Sequence, residues 1–128
     1  MSAQRHIAIY CRVSSKQQDT ASQKPDLRRW VNAFAADSEA VWYEDTFSGR
    51  TMNRPQWAIL LDAIRAGSVS KVVVWRLDRL GRTAKGLTSL FDELPTLGVG
   101  LVSLKDGLDL ETPAGRLMAN VLASVAQY

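Results

Sequence analysis

Apolar positions along this chain alternate between short continuous runs and longer stretches spaced three and four residues apart. Ile7 to Val13 is almost wholly apolar and rich in branched side chains, the pattern of a strand covered on both faces, and Arg12 breaks it near its end. A polar segment follows Ser14. Thr20 or Ser22 can then cap a helix, and Pro25 favours Ser22, because proline is tolerated in the first turn; Leu27, Trp30, Val31 and Phe34 follow at helical spacing. Ala40 to Tyr43 reads as a second short strand, and Asp45 to Arg54 as a long polar loop of the kind that often carries function. Pro55 opens a second helix with Trp57, Leu60, Leu61 and Ile64 on one face and Gly67 as its stop. Lys71 to Trp75 is a third strand, a third helix carries Leu87, Leu90, Phe91, Leu94 and Leu97 before Gly98, and Val99 to Leu104 gives a fourth strand. Lys105-Asp106-Gly107 has turn chemistry, and a short antiparallel strand around Leu108 can follow it. Thr112-Pro113 then starts a last helix with a cap and a proline in the first position.

Strands and helices alternating at this spacing predict an α/β fold: an open, mostly parallel sheet of four or five strands flanked by helices. In such sheets, active groups collect beyond the carboxyl ends of the strands. The length of 128 residues fits one domain able to bury a core without staples. The last helix carries an apolar stripe of Leu117, Met118, Val121, Leu122 and Val125, and the sequence stops at Tyr128 without a capping signal. The expectation is one domain over 1–128, cut inside a long final helix.

Composition narrows the function classes. No stretch approaches the roughly 18 apolar residues of a membrane span, and no apolar signal region precedes the first strand, so the expected setting is cytoplasmic with no membrane partner. The single cysteine, Cys11, can neither pair within the chain nor build a metal cluster, and reads as a small buried apolar residue. The net charge of +3 is modest, but arginines outnumber lysines by eleven to five, which suits bidentate contact with phosphate or carboxylate oxygens.

The strand ends concentrate the chemistry. Arg12 and Ser14 end the first strand, Asp45, Ser48 and Arg54 follow the second, and Arg76, Asp78, Arg79 and Arg82 follow the third. In a parallel sheet these groups meet on one rim, where a hydroxyl can attack phosphorus while guanidiniums hold its oxygens and the developing charge. A Ser-His-Asp arrangement is excluded, because His6 lies eight residues before Ser14 on one strand, roughly 25 Å away. There is no His/Cys cluster for a metal and no glycine-rich nucleotide fingerprint, so neither metal nor cofactor is expected. Plainer readings stand beside these. Ser14 can be a turn or cap residue, Asp78 and Arg79 a structural ion pair, and Gly81 a turn. Arg50 and Arg76 read as solvated, and Gln18 can either position a phosphate or cap its loop.

Together these residues resemble the catalytic domain of the serine recombinases, the resolvase/invertase family of site-specific DNA recombinases. Tyr10-Cys11-Arg12-Val13-Ser14-Ser15, with Gln17-Gln18 after it, is similar to the family's first-strand signature. Trp75 to Arg82 resembles its most recognisable motif, Ser48-Gly49 with Arg54-Pro55 its middle loop, and Thr112 to Arg116 the start of its dimerisation helix. Cys11 stands where alanine is common in the family. The resemblance implies that Ser14 is a nucleophile that attacks a DNA phosphodiester, becomes linked to the 5′ phosphate and frees a 3′ hydroxyl. It implies that Arg12, Arg79 and Arg82 bind the scissile phosphate, that Arg54 and Gln18 assist, and that Asp78 orients the group or takes part in proton transfer. Ser48 and Asp45 are expected to support the phosphate from the middle loop. It further implies a double-stranded DNA recombination site as partner, a homodimer assembling to a tetramer through the last helix, a DNA-recognition domain beyond Tyr128, and a bacterial or mobile-element source. Two other readings remain at this point: a phosphate-recognising receiver-like signalling module using Asp45 or Asp78, and a metal-dependent nuclease on a similar sheet.

Overall fold

The computed structural model describes residues 5–14, 17–36, 38–47, 55–76 and 84–126 and, of residues 13–14, 17–22, 47, 84–88 and 122–126, the backbone only. The first apolar run forms β1 (His6–Ser14), and α1 (Gln17–Phe34) follows it. Then come β2 (Ala40–Phe47), α2 (Pro55–Arg65), β3 (Val69–Val74), α3 (Ala84–Thr96), β4 (Gly100–Ser103), β5 (Leu108–Asp109) and α4 (Pro113–Ala126). The five strands form one sheet in the order β2-β1-β3-β4-β5, parallel except for the antiparallel β5.

Burial explains why the strands read as continuous apolar runs. Alternate residues enter separate cores on the two faces of the sheet. Ala8, Tyr10, Val72 and Val74 pack on one face with Leu60 and Ile64 of α2, Leu94 of α3 and Ala119 of α4. Ile9, Cys11, Val73 and Trp75 pack on the other against Leu27, Trp30 and Val31 of α1. β1 and β3 therefore need apolar side chains at odd and even positions alike.

The helix ends follow the sequence signals. Gly67 and Gly98 adopt φ of 83° and 72°, the left-handed conformation that ends α2 and α3. Thr112 caps α4, its Oγ1 accepting the Gly115 amide at 2.9 Å. Gly115 itself lies so close to β5 that a Cβ there would overlap the Asp109 carbonyl oxygen.

Two of the boundaries that differ from the sequence reading bear on the site. α1 begins at Gln17, before Ser22, and Pro25 lies inside it. Gln23 and Leu27, both fully buried, hold this half of the helix, and the Gln23 amide donates to the Arg12 carbonyl at 3.3 Å. Tertiary contact thus outweighs an interior proline that costs about 3 kcal/mol in an isolated helix. β2 runs on to Phe47, because Cys11 to Ser14 of β1 offer ladder partners to Glu44 through Phe47. Asp45 is therefore a strand residue. Among the described residues, no helix is long and apolar enough to cross a membrane.

Candidate functional site

Parallel pairing brings the carboxyl ends of β1, β2 and β3 to one edge. Arg12 is in register with Asp45, and Tyr10 with both Tyr43 and Val74. Neighbouring strands lie roughly 4.8 Å apart. Segment 48–54, with Ser48 and Arg54, connects β2 to α2, and segment 77–83, with Asp78, Arg79 and Arg82, connects β3 to α3. These five residues lie outside the described ones. Ser14 closes β1 and Gln18 belongs to the first turns of α1, and for both the backbone alone is described.

Asp45 is the best-defined site residue. Its side chain is 2 % exposed, and its carboxylate accepts three hydrogen bonds. The Tyr10 hydroxyl donates to Oδ2 at 2.8 Å, the Trp57 amide donates to Oδ2 at 2.9 Å, and the Gln56 amide donates to Oδ1 at 2.9 Å. Gln56 and Trp57 are the second and third residues of α2, so Asp45 caps that helix from the neighbouring strand. The helix dipole favours a negative charge at that end. Sequence explains why the cap comes from elsewhere: the residue before Pro55 is Arg54, and a guanidinium has no acceptor to offer. Tyr10 is fixed in turn, fully buried and edge-on to Trp57 at a centroid distance of 5.2 Å. Asp45, expected to support a phosphate, has its carboxylate occupied with backbone and phenol.

Arg12 is half-buried at the rim, with its backbone carbonyl held by Gln23. That bond identifies Nε2 of Gln23 as the donor, and the other amide atom, Oε1, is buried without a hydrogen-bond partner among the described residues. His6 sits at the opposite end of β1, with Nε2 2.9 Å from the Tyr43 hydroxyl. It is far from Ser14, as its sequence position requires. Burial pushes the Cys11 thiol up to about 12, with Glu44 adding to the rise, so it stays a neutral core group. Among the described residues, no three His, Cys, Asp or Glu side chains gather in a metal-holding group.

Tyr10, Gln23 and Trp57 are missing from the sequence-derived list. Tyr10 carried a usable signal, since positions 10, 12 and 14 of one strand share a face. Gln23 carried none, because a polar residue within a helix reads as solvated until the strand end it reaches is known.

A second carboxylate group lies on the other face of the sheet. Trp75, just past β3, donates its indole N–H to Asp26 of α1 at 2.9 Å. Asp26 also pairs with Arg29 at 3.0 Å and Lys105 at 3.4 Å. The Trp75 bond, then the two cations, hold its carboxyl below the usual range.

Known proteins place this architecture. A family model, the resolvase N-terminal domain, matches residues 7–128. A DNA-invertase of Escherichia phage P1 is 36% identical over 118 residues, covering 92% of this chain and 59% of that protein. The serine recombinase gin of Escherichia phage Mu is 37% identical over 118 residues, covering 92% and 56%. The chain thus spans less than two thirds of these curated relatives. Among solved structures, the N-terminal catalytic domain of TP901-1 integrase superposes with a TM-score of 0.75 at 26% identity, covering 94% of this chain and 93% of that one. A resolvase family site-specific recombinase from Streptococcus pneumoniae gives 0.68 at 29% identity, covering 96% and 86%. With a family model over nearly its whole length and the same sheet in solved relatives, the chain belongs to the resolvase family of serine recombinases, as its N-terminal domain.

Proposed function

We propose that this chain is the catalytic domain of a site-specific DNA recombinase that cuts and rejoins duplex DNA through a covalent bond between Ser14 and a 5′ phosphate. The observation that supports it is the register of β1, β2 and β3, which brings Arg12, Ser14 and Asp45 to the edge from which the chain leaves β2 toward Arg54 and β3 toward Arg79 and Arg82. Ser14 Oγ attacks phosphorus, the bond from phosphorus to O3′ breaks, and the proton lost from Oγ is balanced by one gained at O3′. Arg12, Arg79 and Arg82 hold the phosphate oxygens, Arg54 and Gln18 assist, and Asp78 orients the group or relays the proton. Guanidiniums placed where charge develops are the main source of acceleration in such a site. One phosphodiester is exchanged for another, so rejoining needs no nucleotide.

Asp45 and Tyr10 act through α2. By capping that helix from β2, Asp45 fixes where the chain enters it and leaves position 54 open to an arginine. It is a positioning residue, and Ser48 belongs to the connection it anchors. The apolar stripe of α4 supports assembly: Leu117, Met118 and Val121 are 66%, 40% and 52% exposed, an apolar face suited to a second copy of the chain. A dimer on each site, pairing to a tetramer for strand exchange, follows from this reading, as does a cytoplasmic setting.

The test uses a nicked cognate site in excess chelator. Wild-type protein is expected to form a covalent protein–DNA adduct, and Ser14→Ala none. No adduct from wild type, or an equal adduct from Ser14→Ala, overturns the mechanism.

A further inference from the structure

We propose that Arg76, stacked on Trp75, the ring that Lys105 also approaches, docks a backbone phosphate of duplex DNA on the same rim as the one that is cut, an inference that rests on the recombinase reading above. The Arg76 guanidinium carbon lies 4.8 Å from the Trp75 ring centroid, and the side chain is exposed. Among the described residues no carboxylate pairs with it. A guanidinium lying on an aromatic face keeps its N–H edges directed outward, in the fork geometry that matches phosphate oxygens.

The platform beneath it is built. Trp75 is 9% exposed, its indole N–H is held by Asp26, and its carbonyl accepts the Lys105 amide at 2.9 Å. Lys105 Nζ lies 5.7 Å from the same ring, and Arg29 sits on Asp26. Two cations thus pair with the Asp26 carboxylate, and Arg76 lies on the ring that it holds. Asp106 accepts the Ser103 hydroxyl at 2.6 Å. A tie holding β3, β4 and α1 together would be complete with Trp75, Asp26 and Lys105 alone. Arg76 adds nothing to it but an outward positive edge.

Position supplies the partner. Tyr10 pairs with Val74, so continuing the register sets Trp75 level with Cys11, and both are buried on the α1 face. The patch therefore lies one strand over from β1 and three residues, roughly 10 Å, short of the level of Ser14, on the α1 side of the same rim. A duplex entering with its scissile phosphate at Ser14 presents further phosphates along the rim, advancing roughly 3.4 Å along the axis per nucleotide of one strand.

Affinity of the protein for duplex DNA, measured over a range of salt, tests this. Removing one phosphate contact lowers the slope of log K against log salt by about 0.9. Arg76→Gln is expected to lose about that much, and Arg76→Lys to keep the wild-type slope. Arg65→Gln is the control: Arg65 is paired with Glu93 at the far end of α2 and should leave the slope unchanged. Adduct formation on the nicked site is followed with the same preparations. A wild type that forms the adduct, with an Arg76→Gln slope equal to its own, overturns this inference alone. A wild type that forms no adduct removes the recombinase reading beneath it.

Discussion

Two carboxylates near the carboxyl edge of the sheet each hold the polar atom of an aromatic ring, and they do opposite things. Asp45 takes the Tyr10 hydroxyl and two backbone amides, on the α2 face, almost out of solvent. Asp26 takes the Trp75 indole on the α1 face, with its side chain 26% exposed and two cations on it. Burial separates them. A buried carboxylate must have its acceptor sites filled by fixed donors, so Asp45 is locked to the backbone and locks α2 in return. A half-exposed carboxylate can share its charge with mobile cations, so Asp26 draws Arg29 and Lys105 to the surface beside Arg76.

The largest effect expected from this contrast is at Asp45. Asp45→Ala leaves the Tyr10 hydroxyl and two helix amides without their acceptor and should destabilise by about 3 kcal/mol, read from urea unfolding. Cleavage by the folded fraction should also fall. Tyr10→Phe keeps the ring against Trp57 and removes one donor, for a loss of about 1 kcal/mol. An equal loss from both variants would show that the phenol, rather than the helix cap, is what Asp45 is there for.

On the other face, Asp26→Asn keeps an acceptor for Trp75 and removes the charge, so its unfolding midpoint should move less than that of Tyr10→Phe. Its signature is in pH. The folded carboxyl of Asp26 is held below its unfolded value of about 3.9, so its contribution is present above that pH and fades as pH falls through the folded value. Wild type and Asp26→Asn should therefore converge in stability between neutral pH and strongly acidic pH. The smallest signal is Cys11, buried on the same face. With its thiol pushed up to about 12, native protein at pH 8 should react with a thiol reagent only as fast as the α1 face opens.

The sheet was legible because continuous apolar runs, glycine stops and proline starts are local signals, and the burial of β1, β3 and β4 on two faces wrote itself into consecutive residues. The α1 start was not legible. What overrides Pro25 is Gln23 and Leu27 packing on β1, a contact that no local pattern encodes. For the same reason Asp45 read as a loop acid: only pairing with β1 extends β2 far enough to turn its carboxylate toward α2. Residues proposed to act through their own chemistry, such as Arg12 and Ser14, stand out in sequence. Residues that act by placing others, such as Tyr10, do not.

The most direct test of the central claim is to map the point of attachment. The covalent complex formed on a nicked site is digested, and the peptide carrying the 5′-linked nucleotide is identified by mass spectrometry. The account predicts attachment at Ser14 through its hydroxyl oxygen. Attachment at Ser15, Ser48 or any other residue, or cleavage that leaves no covalent product, would contradict it.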